Sequence, residues 1–358
     1  MPKFSHRCWI LLVVALLCAC STPQRHAGCL LLVGGGLDND QVEVYGRLLE
    51  LAGRASDGPA PRLAIVTAAT GPQHEEATDK AQALHAFCSR AEVTVVPREA
   101  STAATIAAIE RAGALFFTGG DQERITARYR PDGADSSELQ AMRRLLARGG
   151  TIAGASAGDA MMGHSMFAGG SSARALGVPG SEPPHGPQLV PGMGFLPWAL
   201  TDSHFFERDR IGRLGAALVA SGTRLGIGVG EDAAVEIDLA SGVLVGLTTA
   251  ESLLVDAAAA VRDGPHLRGF VAQLLPRGVQ RSLPDRLNGP LPRLAPRPDG
   301  PTHVVPIVPP GQNRQLASWR LFRRAAAEPG LWRLELDGWQ VVAWSNGGGE
   351  VVFDLEVR

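Results

Sequence analysis

Cys29-Leu30-Leu31-Leu32-Val33-Gly34-Gly35-Gly36 is an apolar run of strand length closed by three glycines, and an amphipathic stretch from about Asp40 to Ala52 follows it. Apolar residues without polar alternation read as a strand buried on both faces, and glycine lets the chain turn sharply where it ends. The same unit recurs. Arg62 to Thr67, Glu92 to Val96, Ala114 to Thr118 and Thr151 to Ala153 read as further strands. Helical stretches lie near His74 to Arg90, Ala103 to Arg111 and Ser136 to Arg148. Repeated strand and helix units predict an α/β fold, a parallel sheet in a three-layer α/β/α sandwich. Ligands of such sheets sit at the carboxyl ends of the strands.

Composition agrees. The chain has 358 residues, 45% of them hydrophobic and 20% charged, as in globular proteins rather than disordered or multi-spanning ones. Its 34 Lys plus Arg balance 36 Asp plus Glu, which argues against a nucleic-acid-binding surface.

Outward from this core the chain changes character. Residues 1–19 carry a cationic start (Lys3, Arg7) and an apolar run from Trp9 to Leu17, too short for a permanent span and right for a secretory signal. Leu17-Cys18-Ala19-Cys20 resembles the lipobox of bacterial lipoproteins, which implies lipidation at Cys20, a tether over 20–28, and a mature protein outside the cytoplasm on a membrane or in the periplasm. An ordinary cleaved signal peptide is the alternative. Of the remaining cysteines, Cys29 and Cys88, one disulfide or two buried thiols are both open.

The main domain is expected over 29–275. Within it, Gly177 to Pro197 holds six prolines and five glycines, too irregular for the sheet and suited to a surface excursion or the rim of a site. A helix from about Phe206 to Ala220 and strands Arg224 to Val229, Ala233 to Asp238, Val243 to Val245 and Ser252 to Asp256 follow. Residues 276–301 contain seven prolines and read as a linker. A small C-terminal β module is expected over 302–358, with Trp319, Trp332, Trp339 and Trp344 chiefly in its core.

Gly154-Ala155-Ser156-Ala157-Gly158 is the sharpest chemical signal, a serine between small residues where a strand turns into a helix. Such a turn exposes the hydroxyl and aims the next amide, that of Ala157, at a developing oxyanion. Small neighbours are needed because bulk would clash there. Among the histidines, His74 and His85 lie on a helix, His164 is too close in sequence to Ser156, and His185 sits in the proline-rich excursion. His204 is best placed, between a strand end and a helix, with Phe205 or Phe206 to anchor it. The glycines 34 to 36 match neither dinucleotide nor P-loop patterns, and no metal-ligand spacing occurs.

The set GGDQ at 119–122, GASAG at 154–158, DSHFFERDRIGRL at 202–214 and GIGVGEDAA at 226–234 resembles cyanophycinase and its relatives, including aspartyl dipeptidases of the dipeptidase E type. These are serine peptidases on a fold like that of class I glutamine amidotransferases. The resemblance implies Ser156 as nucleophile, His204 as base and Glu231 as third member, with Asp232 as rival to Glu231. It implies Gly120 and Ala157 as oxyanion donors, and Gln122, Asp202, Arg208, Arg210 and Arg213 as substrate-side residues. Asp202 is open to either orienting the site or reading a substrate guanidinium. The implied substrate is an aspartyl or isoaspartyl peptide such as the polymer cyanophycin, with no cofactor and with room for a homodimer. A short-peptide aspartyl dipeptidase and a non-catalytic surface-binding lipoprotein are the alternatives. Two positions depart from the family pattern: Ser203 stands where Gln is common, and Asp159 where a small apolar residue is usual.

Overall fold

The computed structural model describes residues 28–289, 294–306, 317–345 and 349–358. The signal segment and Cys20 lie outside the described residues. Strands β1 (Cys29–Val33), β2 (Arg62–Val66), β3 (Glu92–Val96), β4 (Ala114–Phe117) and β5 (Thr151–Ala155) are parallel and adjacent in the order β1-β5-β4-β2-β3. Successive side chains of β1 serve opposite faces. Leu30 and Leu32 pack with Ile109, Leu139 and Leu145 on one side, and Leu31 and Val33 with Val44, Leu48 and Leu84 on the other. Helices therefore cover both faces of the parallel core, as the uninterrupted apolar strands predict.

Beyond β5 the architecture is richer than a single parallel sheet. Strands β6 (Ser165–Gly169) and β7 (Gln188–Pro191) form an antiparallel ribbon of their own, partly inside the proline- and glycine-rich excursion. Strands β8 (Ala199–Asp202) and β9 (Leu225–Val229) pair in parallel and start a second sheet. Strands β10 (Ala234–Asp238) and β11 (Val243–Gly246) return to the first sheet, β10 running antiparallel to β1. Strand β12 (Ser252–Asp256) goes back to the second. Leu225, Ile227 and Leu254 of the second sheet share a core with Leu30 and Leu32, so the two sheets face one another. The other face of the second sheet is covered by the helices Ile211–Ser221 and Ala317–Ala327.

The C-terminal region differs from the expected linker and separate module. After the short strand β13 (Val261–Asp263), β14 (His266–Leu275) pairs with β12 on one side and with the last strand on the other. Strand β15 (Gln280–Ser282) and the helix Leu283–Asn288 occupy the start of the expected linker, β15 on the edge of the first sheet. Strands β16 (Thr302–Val304), β17 (Gly330–Leu336), β18 (Trp339–Ser345) and β19 (Glu350–Val357) then extend the second sheet, β19 lying against β14 with Phe353 opposite Phe270. The strands were legible, but their continuity with the peptidase domain was not, because strand pairing is a tertiary choice. Trp332, Trp339 and Trp344 are buried, while Trp319 is half-buried. Cys29 and Cys88 are free thiols. Among the described residues no helix is long and apolar enough to cross a membrane.

Candidate active site

The carboxyl end of β5 delivers Ser156. Its backbone has φ 55° and ψ −105°, a conformation that is costly for a residue with a side chain and that lifts the hydroxyl out of the strand. The turn closes only because its neighbours are small. A Cβ on Gly154 would stand 2.2 Å from the carbonyl oxygen of Gly158, and one on Gly158 would stand 2.6 Å from that of Phe117. The amide of Ser156 donates to the carbonyl of Val33 at 3.0 Å, tying the turn to the end of β1.

His204 follows β8 on the second sheet. Its backbone also has a positive φ, 45°, and its amide donates to the carbonyl of Gly34 at 2.7 Å. Phe205 and Phe206 are buried behind it, as expected of the anchor. The predicted helix begins only at Ile211; residues 205–210 form the turns that carry His204. The ring bridges two partners: Nε2 is 2.8 Å from Oγ of Ser156 and Nδ1 is 2.6 Å from Oε1 of Glu231. Glu231 comes from the end of β9, one residue before Asp232, whose carboxylate instead accepts from the amide of Asp38 at 2.9 Å. The geometry thus separates the two rivals. Three residues distant in sequence converge where the two sheets meet, at strand ends.

Glycines 34 to 36, which sequence reasoning set aside, form the floor of this arrangement. A Cβ on Gly35 would stand 2.4 Å from Nε2 of His204, and one on Gly36 would stand 3.2 Å from the side chain of Glu231. Both have positive φ. Three glycines after a strand were the only available signal, since glycine's role here is to leave space.

A small cleft opens beside Ser156, with a volume of about 100 Å³, lined by Gly120, Gln122, Ala157, Phe167, Gly169 and Arg208 among others. Gly120, at φ 134°, sits where a side chain would collide with the carbonyl of Ala69, 2.3 Å away. Gln122 lines the cleft and donates from Nε2 to the carbonyl of Phe167 at 2.6 Å, joining β4's exit loop to the β6–β7 ribbon. Part of the ribbon is thus the rim, a role the sequence left open. Phe167 and Gly169 carried no signal of their own.

The four substrate-side charges separate into two kinds. Asp202 is buried, and its carboxylate accepts from Nε of Arg213 at 2.7 Å and from a nitrogen of Arg210 at 3.1 Å. Arg213 also donates to the carbonyl of Gly170 at 2.8 Å and is itself buried. Asp202 and Arg213 are therefore occupied with each other. Burial pushes the Arg210 guanidinium down to about 10, with Asp202 opposing the fall. Arg208 is exposed, lines the cleft, and pairs with no carboxylate among the described residues.

Electrostatics favour a neutral imidazole. Burial lowers the His204 pKa below its ordinary value, Glu231 pulls it back up, and the Arg208 charge lowers it further. An imidazole that is neutral and aligned in this way can take the serine proton, while the carboxylate on the far nitrogen fixes the tautomer and stabilises imidazolium. Asp159 is fully buried just past the elbow, and neither carboxylate oxygen has a hydrogen-bond partner among the described residues. Burial first, and then the charge of Asp202, hold its pKa well above the usual range. Among the described residues no group of His, Cys, Asp and Glu is arranged to hold a metal ion.

A family model described as peptidase family S51 matches residues 30–243, so the chain belongs to that family and is a peptidase by class. It is similar to cyanophycinase of Trichormus variabilis, 33% identical over 223 residues that cover 59% of this chain and 68% of that protein. It is also 39% identical to cyanophycinase of Geminocystis herdmanii over 126 residues, 35% of this chain and 42% of the other. The crystal structure of a peptidase from an acI-B1 Actinobacterium has a similar fold, with 19% identity and a TM-score of 0.50, covering 73% of this chain and 99% of that one.

Proposed function

We propose that the protein is a serine-type peptidase that cuts aspartyl or isoaspartyl peptide bonds of a cyanophycin-like substrate through an acyl-enzyme. The observation that carries this is the unbroken chain from Oγ of Ser156 to Nε2 of His204 at 2.8 Å and from Nδ1 to Glu231 at 2.6 Å. In this reading Ser156 attacks the peptide carbonyl as His204 takes its proton. The amides of Ala157 and Gly120 receive the oxyanion, and His204 returns the proton to the leaving amine. Water then releases the acyl group by the same route, leaving β-Asp-Arg dipeptides if the substrate is cyanophycin. Arg208 lines the cleft without a carboxylate partner among the described residues and would meet a substrate carboxylate, for which a guanidinium fork is suited. Gln122 would hold the substrate from the opposite wall.

The similarity to proteins described as cyanophycinase supports the choice of substrate. The lipobox-like ending at Cys20 supports an exported, lipid-anchored enzyme that meets such a polymer outside the cytoplasm. Purified protein incubated with cyanophycin should release dipeptides, and Ser156→Ala should lower the rate by on the order of 10⁶. Undiminished turnover by that variant would refute the reading.

A further inference from the structure

The helix Ala317–Ala327 has two faces. Leu321, Phe322 and Ala325 are buried against the second sheet, whereas Arg320, Arg323 and Arg324 line a cavity of about 920 Å³, far larger than the cleft at Ser156. Arg323 and Arg324 each lie one turn after Arg320, and all three line the same cavity. Against them stands one carboxylate of the lining, Glu328, 3.7 Å from Arg324. Among the described residues Arg320 and Arg323 pair with no carboxylate. Aromatic rings contribute to the walls: the Arg323 guanidinium lies 5.0 Å from the ring centre of Trp319, and the rings of His303 and Trp332 lie 4.7 Å apart. Trp319 was expected in a hydrophobic core, yet it stands half-exposed in this lining.

The cavity is also attached to the candidate active site. Nε1 of Trp319 donates to the Glu251 carboxylate at 2.5 Å, and the Glu251 carbonyl packs on Gly230, the residue before Glu231. The hydroxyl of Ser318 donates to Asp209 at 3.2 Å, five residues past His204. The first turn of the helix is thereby hydrogen-bonded to the loop that carries His204 and to a second loop that packs on the one carrying Glu231.

We propose that this cavity is a second binding site, one that takes the carboxylates of an acidic peptide chain. Guanidiniums backed by indole rings bind flat carboxylates by paired hydrogen bonds while the rings hold the aliphatic and planar parts of the ligand. Two unpaired guanidiniums one turn apart ask for a ligand with repeated carboxylates rather than a single one. As a grip on a distant stretch of the same polymer that Ser156 cuts, the site rests on the function proposed above; as a polycarboxylate site it does not.

The test separates the two. Binding of poly-L-aspartate to the Ser156→Ala protein, followed by calorimetry, should be saturable and should weaken with salt. It should fall at least tenfold in Arg320→Glu/Arg323→Glu and severalfold in the exposed single variant Arg323→Gln. Binding that is absent, or equal in all three proteins, overturns the proposal whatever the enzyme cuts. On the active background the same substitutions should raise KM for polymer about tenfold while leaving kcat and the cleavage of a fragment two dipeptide units long unchanged. A polymer KM that does not move removes the site's role in catalysis.

Discussion

Gly35 lies so close to His204 that a single added methyl group would stand 2.4 Å from the imidazole nitrogen facing Ser156. The imidazole and the strand end beside it are fitted to each other. Sequence identity at residue 35 therefore controls the reach of a side chain 169 positions away, a separation read directly from the two residue numbers.

Gly35→Ala should keep the fold and lose the chemistry. The new Cβ, 2.4 Å from Nε2, must push the ring off Ser156, and φ of 98° adds backbone strain. Misplacement of about 1 Å costs on the order of 10²-fold in rate. Circular dichroism should show a folded protein and kcat should drop at least that far. A variant with full activity would mean that the ring does not work from this position.

The profile of kcat/KM against pH should show an acid limb below about 6.5, the ordinary histidine value, because burial and Arg208 both disfavour imidazolium. Arg208→Gln removes one of those positive influences, so the limb should move to higher pH. Glu231→Gln removes the one that raises the pKa, so its residual activity should show the limb moved lower. Limbs that stay fixed in both variants would show that another group governs the profile.

Asp159 should weaken the fold at neutral pH. Its folded-state pKa is raised, so its contribution is intact below the unfolded value of about 3.9 and is lost as pH rises toward the folded one. Asp159→Asn, which is neutral without taking up a proton on folding, should be more stable than the parent at pH 7. The advantage should shrink to nothing near pH 4. Denaturant titrations at the two pH values check this; an equal difference at both would rule out titration of Asp159 as the source.

Asp202→Ala should unfold the region rather than merely loosen substrate. It leaves two largely buried guanidiniums without their shared carboxylate, a loss of about 3–5 kcal/mol for a broken buried pair. Thermal melting should register it as a large fall in Tm. An unchanged Tm with a raised KM would instead make Asp202 a substrate contact.

Much of this was written locally in the chain. Apolar runs such as Leu30 to Val33 and Leu63 to Val66 placed the parallel strands to within a residue or two, because such runs have few other solutions. Ser156, His204 and Glu231 stood out by their turn and strand-end contexts and by the four-motif resemblance, and the structure brings all three together. The helix Gln122–Tyr129 leaves no periodic signal in the sequence, since only Ile125 and Tyr129 of its eight residues are buried. Gly34 to Gly36 were set aside because empty space has no side-chain signature. The pairing of Asp202 with Arg213 could not be separated from substrate recognition without knowing which groups are buried together.

The seam between β14 and β19 sets a limit on how this protein can be trimmed. Ending the chain in the proline-rich run would strip β14 of its neighbour and uncover Phe270, whose ring stacks 4.9 Å from Phe353. The bared strand would offer its backbone to any passing copy, so a shortened enzyme should clump rather than work. Whatever the last sixty residues do for substrate, they are first of all a lid on a sticky margin.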